Sequence, residues 1–229
     1  MQHINKNMSP PALTAILFFF SFFFTFTAIN AQTPEAVLDS QGNPVQVGVG
    51  YRLLPPIRPF GGLGLGPNRN HTICPLSVVQ MRPLRNGLPI YFAPVHQPTE
   101  GVVLTSTDYT LWFNFSAISM AAMWKREPLD QSVGKYFITS DFVFNNSHIN
   151  GSQTIENHFK IELVSGPGIM GLYKLSWCPT VCSTCEKVLC KDIGVHFDED
   201  KFSRLALSDD FPYVFSFVRK AQMEQINAL

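Results

Sequence analysis

The chain lacks a charge bias: 17 Lys and Arg stand against 17 Asp and Glu among 229 residues, and only 15% of the side chains are charged. That balance excludes a basic surface spread over the chain for nucleic acid. With 45% hydrophobic residues, it also excludes an acidic disordered tail. No Gly-x-Ser-x-Gly elbow, His-Glu-x-x-His helix or phosphate loop appears, and no two histidines of residues 32–229 stand at metal-ligand spacing. The expectation is therefore a protein that is not an enzyme and needs no cofactor or metal. A sustained 3.6-residue apolar period is missing after residue 31, so a helical bundle is excluded. Long apolar runs are scarce as well. The one that exists covers residues 13–26 and holds seven of the 20 phenylalanines.

That run follows Lys6, the only charged side chain before Glu35, and gives way to Ala28-Ile29-Asn30-Ala31 and Gln32. A weakly positive start, about 14 apolar residues and a small-residue exit describe a secretory signal peptide over residues 1–31, because a bilayer span needs roughly 20 residues. Residues 32–229 are then the folded domain, secreted, with no membrane attachment after cleavage. Secretion gives meaning to the sequons at Asn70, Asn114, Asn145 and Asn150 as glycosylation sites.

What recurs in the domain is short segments rich in Val, Ile, Leu, Phe, Tyr and Trp between Gly, Pro, Asn and Asp. The segments are 51–54, 76–81, 90–93, 102–105, 109–115, 136–140, 159–164, 173–177, 205–207 and 213–218. Their spacing and alternation, cleanest in Phe159-Lys160-Ile161-Glu162-Leu163, predict an all-β sandwich or barrel. Gly50-Tyr51-Arg52-Leu53-Leu54 and Gly134-Lys135-Tyr136-Phe137-Ile138 look alike, a faint internal repeat. The glycine-rich stretch 61–66 reads as a loop, the scattered histidines as surface residues, and Asp198-Glu199-Asp200 as a solvated hairpin tip. Trp112, Trp124 and Trp177 read as core or barrel-rim packing.

Several blocks then resemble the plant Kunitz (soybean trypsin inhibitor) family in order along the chain. They are Val37-Leu38-Asp39-Ser40-Gln41-Gly42-Asn43-Pro44-Val45 leading to Tyr51-Arg52-Leu53, then Cys74-Pro75-Leu76-Ser77-Val78-Val79-Gln80, then Tyr173-Lys174-Leu175-Ser176-Trp177-Cys178-Pro179. Cys190-Lys191-Asp192-Ile193-Gly194, Leu205-Ala206-Leu207-Ser208-Asp209 and residues 215–221 complete the set. The resemblance implies a β-trefoil of twelve strands with three-fold pseudosymmetry, a closed barrel under a hairpin cap. It also implies a monomeric endopeptidase inhibitor of the serine or cysteine class, extracellular in the apoplast or cell wall, with the vacuole as the other compartment.

Such inhibitors present a substrate-like loop, pre-organised so that docking loses little entropy. The matching segment here carries Pro94, Val95, His96, Gln97, Pro98, Thr99 and Glu100. Between Arg85 and Lys125 the chain has no Lys or Arg for 39 residues, so the carboxylate of a trypsin-type pocket would stay desolvated and unpaired. The family's loop-bracing Asn is replaced by Val47, which predicts a looser loop. The family's cysteine partner for Cys74 is replaced by Ala121 and Ala122, which leaves Cys74 an unpaired thiol expected to be buried. For the remaining four cysteines the resemblance implies nested disulfides, Cys178–Cys190 and Cys182–Cys185; a zinc site and a Cys-x-x-Cys redox pair are the other readings. Alternatives to inhibition are a trefoil binding protein for a carbohydrate or hydrophobic small molecule, and a storage or stress protein.

Overall fold

Alternation of apolar and polar side chains places one face of each short segment in a common interior, and the hydrogen-bonded pairing of those segments decides the architecture. A computed structural model of the chain describes residues 33–57, 60–72, 74–95, 101–144, 154–164, 171–180 and 189–220. Among the described residues twelve strands run in chain order: β1 (Tyr51–Leu54), β2 (Leu63–Gly66), β3 (Leu76–Gln80), β4 (Ile90–Pro94), β5 (Asp108–Phe115), β6 (Met120–Asp130), β7 (Lys135–Phe144), β8 (Phe159–Leu163), β9 (Tyr173–Trp177), β10 (Lys191–Phe197), β11 (Ser203–Ser208) and β12 (Val214–Arg219).

Six of them close a ring in which β1 pairs β4, β4 pairs β5, β5 pairs β8, β8 pairs β9, β9 pairs β12 and β12 returns to β1. The other six form three hairpins, β2–β3, β6–β7 and β10–β11, whose members also pair with one another as β3–β7, β7–β11 and β11–β3. This is the three-fold β-trefoil, a barrel with a triangular hairpin cap. Its equivalent strands are β1, β5 and β9, which carry Tyr51, Tyr109 and Tyr173. The likeness between residues 50–54 and 134–138 therefore joins β1 to β7, which are not symmetry mates.

Five expectations from the sequence are corrected. The stretch 61–66 is loop only at Gly61 and Gly62: Leu63–Gly66 is β2, and its glycines admit close neighbours, since a Cβ on Gly64 would sit 2.6 Å from the Met81 sulfur. Residues 102–105 make only isolated bridges, Gln46 to Val102 and Ala36 to Leu104. His158 is buried rather than at the surface. Cys74 is exposed rather than buried, because the chain enters β3 from a surface turn two residues later. Strands β6 and β10 are additional; Pro128 had disguised β6, where a register shift between Arg126 and Leu129 absorbs the missing amide. The three tryptophans are buried as expected.

Asp198 and Asp200 also depart from the solvated hairpin tip. They hold Arg204, whose side chain is wholly buried: Asp198 accepts at 2.8 Å and Asp200 accepts from both terminal nitrogens at 2.8 and 2.7 Å. Arg204 also donates to the Pro67 and Asn68 carbonyls, while Arg69 spans Asp198 and Asp130. All three hairpins of the cap are thus tied through two guanidinium groups.

Breaking a buried, hydrogen-bonded charge pair from one side costs about 3–5 kcal/mol. Arg204→Met is expected to lose that much in urea unfolding. Hydrogen bonds from Arg204 hold the Asp200 carboxyl down to about 2. A depressed carboxyl stabilises the fold above its unfolded value, near 3.9. The contribution therefore disappears as pH falls from about 4 to about 2, and Asp200→Asn is expected to flatten the acid limb of the stability curve in that window.

Candidate functional site

The segment 94–101 joins β4 to the chain that leads into β5. Pro94, the last residue of β4, pairs with Tyr109, and Val95 donates its amide to the Asp108 carbonyl at 3.0 Å. Both are half-buried. On the far side Gly101 takes a left-handed turn, φ +69°, and its carbonyl accepts the Val47 amide at 2.6 Å. Gly48, itself at φ +75°, donates to the Phe92 carbonyl at 3.3 Å. The strip 46–48 therefore clamps both stems of the loop by main-chain bonds. The Val47 side chain, which has no donor, packs against the core. The residues between the stems, His96, Gln97, Pro98, Thr99 and Glu100, lie outside the described residues, as do Cys182, Cys185, Asn145 and Asn150.

Tyrosines carry this clamp on the barrel. The Tyr51 hydroxyl oxygen accepts the Gln46 amide at 3.2 Å and that of Tyr109 accepts the Leu104 amide at 2.8 Å, each five residues back along the chain. Tyr173, the third equivalent, accepts the Leu38 amide at 2.8 Å. Burial pushes the Tyr109 and Tyr173 phenols up, against a smaller lowering from those amides, so both stay neutral.

Beneath the first stem is a group that sequence reading passes over. Asp108 is buried, and its carboxylate accepts the Thr180 amide at 3.0 Å as well as the Thr180 hydroxyl. Its other oxygen lies 3.9 Å from the buried Lys160 ammonium on β8. Asp108 thus links the loop stem, the β5–β8 seam and the segment two residues past Cys178, which is bonded to Cys190. Nothing in Thr107-Asp108-Tyr109 signals this role, because Thr180 and Lys160 come from distant segments. Cys74 is unpaired. Asn70 is exposed in a turn, whereas Asn114 lies within β5 opposite Ala121 with its Oδ1 shut off from solvent.

Removing Asp108 strands a buried ammonium and the Thr180 donors. Asp108→Ala is expected to lose about 2–4 kcal/mol in urea unfolding and Thr180→Val about 1–2 kcal/mol. Limited thermolysin digestion of Asp108→Ala should show faster cutting between Val95 and Gly101.

Comparison with known proteins gives the same picture. The family model described as trypsin and protease inhibitor, of the legume Kunitz type, matches residues 37–219. Miraculin from Synsepalum dulcificum is 40% identical over 80% of this chain and 83% of its own. Kunitz trypsin inhibitor 5 from Arabidopsis thaliana is 34% identical over 86% of this chain and 94% of its own. Among solved structures, a Kunitz-type cysteine protease inhibitor from potato superposes with a TM-score of 0.63 at 28% identity, covering 82% of this chain and 98% of that one. The chain belongs to the plant Kunitz family of trypsin and protease inhibitors.

Proposed function

We propose that the protein inhibits an endopeptidase of the serine or cysteine class by presenting residues 94–100 as a substrate-like loop, and that its target is not trypsin. The observation that carries this reading is the double clamp on the loop stems, Val95 to Asp108 and Val47 to Gly101, at 3.0 and 2.6 Å. Stems held by a closed barrel fix where the segment begins and ends before docking, and they keep its ends in register after a cut. The exclusion of trypsin rests on the sequence between Arg85 and Lys125, which offers no cation to a buried carboxylate. The names of the relatives span trypsin inhibition and cysteine protease inhibition, which supports the class and leaves the enzyme to be found.

The same reading sends the protein through the secretory route after removal of residues 1–31, as a monomer. Asn70, exposed in its turn, is the described sequon best placed for a glycan.

The test is titration of the purified protein against trypsin, chymotrypsin, subtilisin and papain, with mass spectrometry of the recovered inhibitor. Inhibition of at least one enzyme other than trypsin, with a single nick between Val95 and Gly101, is the expected outcome. Failure against all four at micromolar concentration, or potent inhibition of trypsin alone, would contradict the proposal.

A further inference from the structure

Strand β1 has the loop clamp before its first residue, Tyr51, and a different feature beyond its last, Leu54. There, a cleft of about 670 Å³ opens between residues 60–65, residues 79–85 at the end of β3, and the β10–β11 hairpin. Three phenylalanine rings line it while remaining in contact with solvent: Phe197 is 71% exposed, Phe60 53% and Phe202 36%. Large apolar rings converging on one exposed concavity mark a binding surface more often than a bare one.

The cleft's unpaired charge is of one sign. Arg82, Arg85 and Lys201 line it, all exposed, and none makes an ion pair among the described residues. Its one carboxylate, Asp200, is already engaged by Arg204 at 2.7 and 2.8 Å. The net field over the rings therefore favours an anion.

The two arginines stand on a rigid turn. The Arg85 amide donates to the Arg82 carbonyl at 3.2 Å, the Gly62 amide donates to the Arg85 carbonyl at 2.8 Å, and the Met81 amide donates to the Gly62 carbonyl at 2.8 Å. Only glycine permits that approach: a Cβ on Gly61 would lie 2.4 Å from the Arg82 carbonyl, and one on Gly62 2.3 Å from that of Asn86. The glycine-rich stretch is part of the wall of this cleft, and it fixes the main-chain turn that carries Arg82 and Arg85 before any ligand arrives.

We propose that the cleft binds a small aromatic anion, its flat apolar body against Phe60, Phe197 and Phe202 and its carboxylate or sulfonate at Arg82, Arg85 and Lys201. The site is separate from the loop and independent of the inhibitory reading. The probe is 8-anilinonaphthalene-1-sulfonate, followed by fluorescence and by amide shifts in NMR, with neutral N-phenyl-1-naphthylamine as the uncharged control. One site is expected, with shifts centred on Gly61, Met81 and Phe202.

The double variant Arg82→Gln/Arg85→Gln should bind the sulfonate about tenfold or more weakly while binding the neutral probe as before. Raising the ionic strength from about 0.05 M to about 0.5 M should weaken the sulfonate in the same direction. Phe60→Ser should weaken both probes. These side chains face solvent, so circular dichroism and the unfolding midpoint should not move. Unchanged sulfonate binding in the double variant would overturn the proposal, as would shifts centred on Phe144 or Phe211. Displacement of the probe by oleate more tightly than by 1-naphthoate would overturn the aromatic assignment.

Discussion

The packing of Phe217 inside the barrel is the contact on which the rest of the structure depends. Its ring meets Tyr51 at 6.1 Å, Phe92 at 5.7 Å, Tyr173 at 5.4 Å and Phe215 at 5.3 Å, mostly edge to face. Those partners come from β1, β4, β9 and β12 itself, so one side chain joins the first strand of the ring to the last. The β12–β1 pairing, from Tyr51 opposite Arg219 to Leu54 opposite Ser216, closes the ladder around it. Aromatic pairs of this kind add about 0.5–1.5 kcal/mol each beyond the area they bury. A closed ring also leaves no free edge among its strands, which is why short strands of four and five residues suffice.

The two ends of this barrel are finished by different chemistry. At the loop end the main chain does the work. Tyrosine hydroxyls from three equivalent strands take up amides of the flanking strips, and the strip 46–48 bonds both stems of the loop. A side-chain brace is therefore not needed to fix where the stems begin, and Val47 adds to the core instead. At the cap end the work falls to charge. Arg204 and Arg69 gather carboxylates and carbonyls from all three hairpins, a buried arrangement that specifies how the hairpins meet more than it adds net stability. The cleft with its unpaired cations lies beside that network and shares Asp200 with it.

Strands with simple alternation were legible in the sequence, as was the trefoil through the block resemblance; β1 and β9 have the very bounds that the pattern indicates. The places where reading failed have physical causes. Glycines in 61–66 look like a flexible loop, yet Gly64 and Gly66 are strand residues, and the missing Cβ atoms of Gly61 and Gly62 let two segments touch. Pro128 hides a strand that simply bulges around it. Asp108 matters through a partner 72 residues away in sequence, and no local pattern encodes such a contact. Arg204 pairs Asp198 and Asp200 six and four residues back, but its carbonyl partners at Pro67 and Asn68 lie 137 and 136 residues away. Cys74 is expected inside because an unpaired thiol behaves as a small hydrophobe, but the turn before β3 leaves it in solvent. The cation-free stretch around the loop needed no structure to be seen.

The central claim is that residues 96–100, held by the clamped stems, are what a protease meets. The direct measurement replaces these five residues with a Gly/Ser stretch and compares the inhibition constant on the best-inhibited enzyme of the panel, with the unfolding midpoint as control. The account predicts weakening of about 100-fold or more, because the side chains that fill the enzyme's pocket are gone and the segment between the stems has lost its stiffening proline. An unchanged inhibition constant in a folded variant would contradict it.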